Sequence, residues 1–480
     1  MSTVQPFWVA GKPRSSAGVH EVHSPFDGHL VARHAQPTPA DVDEAVAAAV
    51  AVQSEALATT AAQRADALMH VSTQLAARAD EIADRITAEN GKPLMWSRTE
   101  VNRGVSTFRW AAEEARRWSG EVQRLDTDAS AAGRMAIIRR FPNGPVLGIA
   151  PFNFPLNLVA HKVAPALAVG APIIIKPAPA TPLTALVLGE ILSQTDLPAG
   201  MWSVLPLDNE QTAALVADPR LPVVSFTGSE TVGYHIQSAQ PTKHVVLELG
   251  GNAAAVVMPD WSSEADLEWA AGRIATFGNY QAGQSCISVQ RVLVDESLYE
   301  RFVPMLVAKM NSLKTGSPLE DDVVVGPVIN EAAAERIQSW IDDAVASGAE
   351  VLAGGTREGT SVAPTLLGNV SSAAKVSCEE VFGPVMTIAP VSGVDGALAA
   401  VNDSRFGLQA GLFTRDLQVA FRAHRELLVG GVVIGDVPSF RADQMPYGGV
   451  KSSGLGREGL RAAMTDLTHD RVMVLTGLDL

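Results

Sequence analysis

Two kinds of hydrophobic pattern divide the chain into regions of helix and regions of strand. In the first quarter, Ala-rich stretches have apolar residues three and four positions apart, which predicts helices over 41–58, 63–89 and 99–118. Gly91 and Pro93 supply a stop signal for the second helix. The first forty residues, with scattered Pro, Gly and His, predict irregular strand and loop. The polar, alternating segment 120–140 predicts a hairpin.

From residue 145 the pattern changes to short apolar runs separated by helical stretches. The runs are PVLGIA from Pro145, IIIK from Ile173, WSVLP from Trp202, VVSF from Val223 and VVLEL from Val245. Such strands, alternating with helices, predict a parallel sheet covered on both faces. A second alternating set follows Gly251, with strands at 253–257, 291–294, 408–413 and 432–434 and helices at 265–277, 299–310 and 331–347. We therefore predict an α/β chain with two packed units and a cleft between them.

The amino-acid composition argues against several classes of function. Of 480 residues, 47% are hydrophobic and 19% charged, so the chain has enough apolar surface to fold. Acidic residues outnumber basic ones, 52 to 37, and this disfavours nucleic-acid binding. The best membrane candidate, 164–175, is short and contains two prolines, and the first residues do not resemble an export signal. We predict a cytoplasmic protein without a membrane, nucleic-acid partner or metal site.

The two cysteines, Cys286 and Cys378, are too few for a disulfide framework. Cys286 lies in NYQAGQSCISVQR, a polar, Gly-bearing segment before the strand RVLV. A free cysteine is most often a buried, inert thiol. An unperturbed thiol is only about a few per cent ionised at neutral pH, so a nucleophilic role requires a base or a positive field.

Polar residues at strand ends are candidate ligand contacts, because ligands of such sheets bind at the carboxyl ends of the strands. Glu248 lies near the end of VVLEL. It is either an ion-paired or capping carboxylate, or a general base whose pKa rises in a dry cleft. Asn153 lies in PFNFP, where its amide either donates to an oxyanion or satisfies a turn.

The segment FTGSETVG, residues 226–233, stands between a strand and a helix, with Gly228 and Gly233 around a polar centre. That arrangement suits a pyrophosphate on backbone N–H groups at a helix start, although it lacks the G-x-G-x-x-G pattern. Lys176, which ends IIIK, can reach a ribose or phosphate, but a lysine at a strand end is more often simply solvated.

In chain order, seven segments resemble signatures of the aldehyde dehydrogenase superfamily: PFNFPLNLVAHK, IIIKPAPATP, FTGSETVG, LELGGN, GQSCISVQR, EEVFGPV and PYGGVKSSGLGREG. The resemblance covers nearly the whole chain. It implies two Rossmann-like parallel-sheet domains and a small β oligomerisation arm. The implied ranges are 1–121 and 142–249 for the cofactor-binding domain, 250–458 for the catalytic domain, and 122–141 and 459–480 for the oligomerisation region.

The resemblance also implies oxidation of an aldehyde to the carboxylic acid with NAD or NADP, by a homodimer or homotetramer. In this scheme Cys286 attacks the aldehyde, and the Asn153 side chain with the Cys286 backbone N–H holds the oxyanion. Glu248 activates the water that hydrolyses the thioester. The expected cofactor contacts are Lys176 and Glu380 at the riboses, Ser229 at the pyrophosphate and Phe382 beside the nicotinamide. Glu380 is otherwise part of an acidic turn.

One departure from the family's pattern concerns the cofactor. NAD-preferring relatives commonly have a Glu three residues after the lysine, which accepts from the 2′-hydroxyl of the adenosine ribose. Here that position is Pro179. Without this carboxylate a 2′-phosphate is not repelled, so we expect the protein to use both NAD and NADP.

The substrate expectation comes from two further segments. EVNRGVSTF and PSFRADQMPYGG resemble the branch with lactaldehyde, phosphonoacetaldehyde and non-phosphorylating glyceraldehyde-3-phosphate dehydrogenases. By position, Arg103, His161 and Arg441 approach the aldehyde entrance, and guanidinium groups favour a small polar or anionic aldehyde. Ordinary salt bridging explains them equally well. The competing functions are a CoA-acylating aldehyde dehydrogenase, a cysteine hydrolase and a catalytically silent relative.

Overall fold

The structure, a computed structural model, describes residues 4–477. Positions 1–3 and 478–480 of the predicted domain ranges therefore lie outside the described residues. In the N-terminal region the strands are β1 (Phe7–Val9), β2 (Lys12–Arg14), β3 (Val19–His23) and β4 (Leu30–Ala35). The helices that follow are α1 (Pro39–Ala51), α2 (Gln53–Ala58), α3 (Ala61–Ala77), α4 (Ala79–Asn90) and α5 (Leu94–Arg117). Within 4–477, no helix has both the length and the apolar character to cross a bilayer.

Three predicted helices in this region differ from the structure. The helix expected over 41–58 is divided at Val52, whose ψ of −8° separates α1 from α2. The helix expected over 63–89 is broken at Arg78, whose φ of −109° and ψ of 23° leave the helical region. Its guanidinium there donates to Glu81 at 2.7 Å and to Glu190 at 3.2 Å. The next helix begins at Leu94 rather than near 99, because Pro93 serves as its N-cap. Gly91 ends α4 in the left-handed conformation, as the stop signal predicted.

A hairpin follows α5, and then the strands and helices alternate. The hairpin strands are β5 (Glu121–Arg124) and β6 (Arg134–Pro142), which confirms the predicted hairpin. The next strands are β7 (Val146–Ile149), β8 (Ile173–Lys176), β9 (Trp202–Val204), β10 (Val223–Thr227) and β11 (His244–Glu248). The helices between them are α6 (Asn157–Val169), α7 (Leu183–Leu192), α8 (Asn209–Ala217) and α9 (Glu230–Ala239).

The five predicted apolar runs form the centre of one sheet, in the order β9-β8-β7-β10-β11. All four pairings are parallel. The strands are almost entirely buried, as expected when helices cover both faces. The strands β1 and β2 add an antiparallel extension beside β9. They protect what would otherwise be an open sheet edge.

The remaining strands are β12 (Ala254–Val257), β13 (Arg291–Asp295), β14 (Glu350–Ala353), β15 (Arg357–Glu358), β16 (Ser361–Val362), β17 (Thr365–Gly368), β18 (Val385–Val391), β19 (Phe406–Gly407), β20 (Gln409–Phe413), β21 (Gly431–Ile434), β22 (Val450–Lys451), β23 (Gly454–Leu455) and β24 (Thr468–Thr476). The helices are α10 (Glu264–Asn279), α11 (Glu296–Asn311), α12 (Glu331–Ala346), α13 (Lys375–Cys378), α14 (Gly393–Asn402), α15 (Leu417–Glu426) and α16 (Leu460–Asp466).

A second sheet has the order β14-β17-β18-β13-β12-β20-β21, with β14 antiparallel at its edge. The expected second α/β unit is therefore present, and β17 and β18 extend it beyond the strands predicted from the sequence. In a third sheet, β6 lies between β5 and β24. The strand β23 returns to the first sheet, where it pairs antiparallel with β11.

Candidate active site

A cavity of about 840 Å³ opens at the carboxyl ends of the first sheet's strands. From β7 the chain adds β8 and β9 on one side and β10 and β11 on the other, so the connection direction reverses there. Such a switch point is where open α/β sheets bind ligands. The cavity is lined by nine of the predicted site residues: Asn153, Lys176, Pro179, Gly228, Ser229, Glu248, Cys286, Glu380 and Phe382.

Cys286 is presented to the cavity by an unusual loop between α10 and β13. Gln281, Ala282 and Gly283 have consecutive positive φ values of 41°, 56° and 68°. Gln281 and Gln284 hold this turn together, because each side-chain amide donates to the other residue's carbonyl, at 2.9 and 3.2 Å. The partly buried thiol of Cys286 lies at the cavity wall.

The environment of the thiol opposes its ionisation. Burial raises the pKa of Cys286 to about 12, and the carboxyl groups of Glu380 and Glu248 add to this effect. A hydrogen bond from Tyr447 and the charge of Arg441 act in the opposite direction. Arg441 thus supplies the positive field that a nucleophilic Cys286 requires. Burial nevertheless has the larger effect on the pKa of the thiol.

Asn153 reaches the same wall from the loop after β7. Its Nδ2 donates to the carbonyl of Gln284 at 2.9 Å, close to the nucleophile loop, and one N–H of the amide remains for another acceptor. Asn153 is buried, and its Oδ1 has no hydrogen-bond partner among the described residues. This placement favours the oxyanion interpretation over a residue that only satisfies a turn.

The loop that carries Asn153 is fixed by buried groups from α4 and α5. Glu100 accepts from the backbone N–H groups of Leu156 and Asn157, at 2.8 and 3.0 Å, where α6 begins. Its carboxylate also pairs with Lys92, and both side chains are fully buried. Asn90 donates to the carbonyl of Phe152 at 2.7 Å. Asn153 is therefore held between two anchored neighbours.

Glu248 ends β11 with its carboxyl group buried in the cavity wall. Neither Oε1 nor Oε2 has a hydrogen-bond partner among the described residues. Burial, together with the nearby carboxylate of Glu458, raises the pKa of Glu248 well above its ordinary value. A Cβ on residue 448 would lie 2.8 Å from Oε1, so Gly448 is required for this placement. The ion-paired or capping alternative finds no partner here.

Glu380 and Phe382 line the cavity from the side of the second sheet. Glu380 accepts from the backbone N–H of Gly251 at 3.0 Å, and burial raises its pKa to about 7. Gly250 is equally constrained, because a Cβ there would collide with the Glu380 carboxylate. The Phe382 ring packs edge-on against Phe152, with ring centroids 5.7 Å apart.

The other predicted cofactor residues lie around β8, β10 and α9. Burial lowers the pKa of Lys176 to about 8. Ser229 is the N-cap of α9 without a capping hydrogen bond from its side chain, which leaves that hydroxyl free for a ligand. The N–H of Gly228 donates to the carbonyl of Glu248 at 3.0 Å. Gly233 is not part of the cavity wall: it packs on Leu249, which a Cβ would approach to 2.5 Å.

Arg103, His161 and Arg441 form a separate group that does not line the large cavity. Asp443 joins the first two, since its Oδ1 accepts from Arg103 at 2.9 Å and lies 3.1 Å from His161 Nε2. Arg441 donates to Glu458 at 3.1 Å. Burial and the charge of Arg441 lower the pKa of His161 to about 4. The salt bridges considered in the sequence analysis are therefore present for Arg103 and Arg441. The Nε donors of both arginines have no hydrogen-bond partner among the described residues.

Four important neighbours were not assigned a role from the sequence: Tyr447, Asp443, Glu458 and Lys162. Tyr447 Oη lies 3.0 Å from the Cys286 sulfur. Lys162 is buried and donates to Ser225, Thr227 and Glu458 at 3.0, 2.8 and 3.3 Å. The segment PYGGVKSSGLGREG contains Tyr447 and Glu458, but nothing local in it indicates their partners.

A thiol, an amide donor and a carboxylate without a hydrogen-bond partner in the wall of one cavity suit covalent oxidation of a carbonyl compound. The sequence model of the aldehyde dehydrogenase family matches residues 9–473. The chain belongs to the aldehyde dehydrogenase family. This confirms the resemblance: the protein is an oxidoreductase that acts on aldehydes with NAD or NADP.

Relatives cover nearly all of this aldehyde dehydrogenase. The chain is 40% identical over 471 residues to 3-sulfolactaldehyde dehydrogenase of Priestia aryabhattai, covering 98% of this chain and 97% of the relative. Aldehyde dehydrogenase 21 of Physcomitrella patens, solved with the reaction product succinate, has a TM-score of 0.97 and 40% identity, with coverage of 100% and 99%. An NADP-dependent glyceraldehyde-3-phosphate dehydrogenase of Bacillus halodurans, solved with NADP, has a TM-score of 0.93 and 33% identity, with coverage of 99% and 100%. The predicted fold class is confirmed.

The cavity of this aldehyde dehydrogenase fits a nicotinamide dinucleotide. It has the volume of a small-molecule site, about 300–1,000 Å³. The polar groups in its wall include Lys176 at the end of β8, Ser229 at the start of α9, and Glu380 close enough to Cys286 to influence its charge. Apolar side chains of α8 and α9 provide a surface for an aromatic base: Ala213, Val216, Val232 and Ile236.

Proposed function

We propose that this aldehyde dehydrogenase oxidises a small aldehyde bearing an anionic group to the corresponding acid through a covalent intermediate on Cys286. The observation that carries the proposal is the convergence of Cys286, Asn153 and Glu248 on one cavity that also holds Lys176 and Glu380. A cysteine hydrolase needs no dinucleotide cavity, and a silent relative would have no reason to keep an unpaired buried carboxylate.

The roles follow from the chemistry of each group. Once its proton has left to solvent, the Cys286 thiolate attacks the aldehyde carbon: the S–C bond forms as the C=O π bond breaks. The free N–H of Asn153 and the backbone N–H of Cys286 stabilise the resulting oxyanion. A nicotinamide bound in the cavity would supply the two-electron oxidant, since the hydride that leaves the former aldehyde carbon would pass to it. Glu248 then removes a proton from the water that attacks the thioester, and the thiolate of Cys286 leaves. We assign Lys176 and Glu380 to the riboses, Ser229 to the pyrophosphate and Phe382 to the nicotinamide end.

The anionic substrate is supported by unused donors in the second group of residues. Arg103 Nε and Arg441 Nε are buried donors without a hydrogen-bond partner among the described residues. His161 adds no donor, because its lowered pKa keeps the ring neutral and its Nε2–H is given to Asp443, which leaves Nδ1 as an acceptor. Buried donors of this kind are costly, and a carboxylate, sulfonate or phosphate would satisfy them. Relatives named for sulfolactaldehyde and sulfoacetaldehyde, and the succinate complex, agree with such a ligand.

A matched pair of aldehydes tests this assignment. We expect sulfolactaldehyde or succinate semialdehyde to give a higher kcat/KM than lactaldehyde or an uncharged aliphatic aldehyde. The variant Arg103→Met should lower kcat/KM for the anionic aldehyde by about 100-fold, because a charged contact is lost in a desolvated site. The uncharged aldehyde should change by less than about threefold.

Arg109→Met provides the control for this prediction, because Arg109 is on the same helix but is exposed. It should leave both substrates unaffected. Equal turnover of charged and uncharged aldehydes by the unmodified enzyme, or equal losses for both in Arg103→Met, would contradict the anionic substrate.

We further propose that the enzyme uses both NAD and NADP. Pro179 lines the cavity where the discriminating carboxylate would stand, and Lys176 supplies a cation nearby. Pro179→Glu should lower kcat/KM for NADP by about 100-fold, because the new carboxylate faces the 2′-phosphate. NAD should be unchanged or improved by a few-fold, since the carboxylate can accept from the ribose hydroxyl.

Steady-state kinetics with both cofactors measures this change, and Pro179→Ala is the control that removes the proline without adding charge. A parallel loss for both cofactors in Pro179→Glu would show that residue 179 does not discriminate between them.

We also propose the predicted domain division and an oligomeric state of two or four chains. The first sheet supports a cofactor-binding domain, the second sheet a catalytic domain, and the sheet of β5, β6 and β24 an oligomerisation region. Apolar side chains exposed on β5 and β24 support association through this third sheet: Val122, Val472, Met473 and Val474. A cytoplasmic location is in keeping with two unpaired cysteines.

A further inference from the structure

The sulfur of Cys286 has a specific polar neighbour that lies outside the predicted site. Tyr447 Oη is 3.0 Å from Sγ, and the Tyr447 side chain is buried. The backbone on which it stands is fixed, because Tyr447 and Glu458 exchange N–H to carbonyl hydrogen bonds of 2.9 and 2.7 Å. The hydroxyl is therefore held against the nucleophile by the segment that follows β21.

The ring of Tyr447 carries a stacked cation. The guanidinium carbon of Arg441 lies 4.0 Å from the ring centroid, and Arg441 is itself fixed by its hydrogen bond to Glu458. A cation over an aromatic face interacts with its π electrons. We expect this to make the phenolic O–H a stronger hydrogen-bond donor.

The direction of the hydrogen bond follows from the protonation states. A thiolate has no hydrogen and can only accept. Burial raises the pKa of Tyr447 well above its ordinary value, so the phenol keeps its proton at neutral pH. The other charged or titratable groups that act on the sulfur are Glu248 and Glu380, which disfavour a thiolate, Arg441, which favours it, and Tyr280.

We propose that Tyr447 is a catalytic residue whose hydroxyl donates to Sγ of Cys286, orients the sulfur and stabilises it as a thiolate. The inference rests on Cys286 being the nucleophile. The hydrogen bond acts twice in the reaction. It stabilises the thiolate before the S–C bond forms, and again when the S–C bond of the thioester breaks and negative charge returns to sulfur.

The test is the reactivity of the thiol itself, which is independent of turnover. In a Cys378→Ala background only the thiol of Cys286 remains, and its alkylation by iodoacetamide is followed against pH. Tyr447→Phe should raise the apparent pKa of this thiol by about one unit and slow alkylation at neutral pH about tenfold. The change removes one oxygen and keeps the ring under Arg441.

Tyr299→Phe is the matched control, because Tyr299 lies on α11 and does not line the cavity. NADP binding and the melting temperature of each variant establish that it is folded, and thiolate ultraviolet absorbance in the unmodified enzyme gives a second value for the pKa. An alkylation profile of Tyr447→Phe that matches Tyr299→Phe would overturn the role of Tyr447. Retained aldehyde oxidation in Cys286→Ala would instead overturn the proposed function.

Discussion

Cys286→Ala should lower aldehyde oxidation by about 10⁴-fold or more, because Cys286 is the one cysteine among the residues that line the cavity and alanine cannot form the thiohemiacetal or thioester. The loss should appear in kcat, measured as nicotinamide reduction with an anionic aldehyde. Binding of NAD or NADP should change little. The groups proposed to hold the cofactor lie on β8, α9 and the segment after α13, and none depends on the thiol.

Cys378→Ala is the matched control, since it removes the only other thiol in the chain. The sulfur of Cys378 lies 3.6 Å from the carbonyl of Ala373, and the residue does not line the cavity. We expect this variant to retain full activity. Near-normal oxidation by Cys286→Ala, or a comparable loss in Cys378→Ala, would refute the assignment of the nucleophile.

The sheets were predictable because burial on both faces forces continuous apolar runs. The residues before the terminal Lys176 in β8 and before the terminal Glu248 in VVLE of β11 have this character. The short edge strands could not be predicted from the sequence. The strands β2 and β23 are only three and two residues long, and their residues are partly or fully exposed. Pro93 illustrates a different difficulty: the same residue can follow one helix or begin the next. Only the packing of α5 decides between the two.

In the candidate site, too, some features were predictable from the sequence and others depend on long-range packing. Lys176 and Glu248 end strands and Asn153 follows one. Because the doubly wound topology brings these strand ends together, their convergence was predictable. The contacts of the second group, formed by Arg103, His161 and Arg441, could not be predicted. The contact between His161 and Asp443 spans 282 positions, and that between Cys286 and Tyr447 spans 161. Nothing in the local sequence indicates which distant charge will neutralise a buried one, and the orphaned donors of Arg103 and Arg441 became visible only in three dimensions.

Glu248→Gln should lower kcat by about 10²–10³-fold while leaving the first half of the reaction largely intact. The amide keeps the shape of the side chain but cannot take a proton from water, so the thioester on Cys286 should accumulate. Rapid mixing of enzyme, cofactor and aldehyde should then show a burst close to one reduced nicotinamide per site, followed by slow turnover. Glu264→Gln, a change at the start of α10, is the control and should show no burst.

The pH dependence separates a base from a group that merely fills space. Because burial raises the pKa of Glu248, the carboxyl group is protonated and inactive at low pH, and becomes a base as the pH rises through that raised value. Thioester hydrolysis by the unmodified enzyme should therefore increase with pH, and Glu248→Gln should lose this dependence. Product analysis with and without CoA completes the argument: a thioester released only to CoA, with no free acid in its absence, would contradict the role of Glu248 and favour a CoA-acylating enzyme.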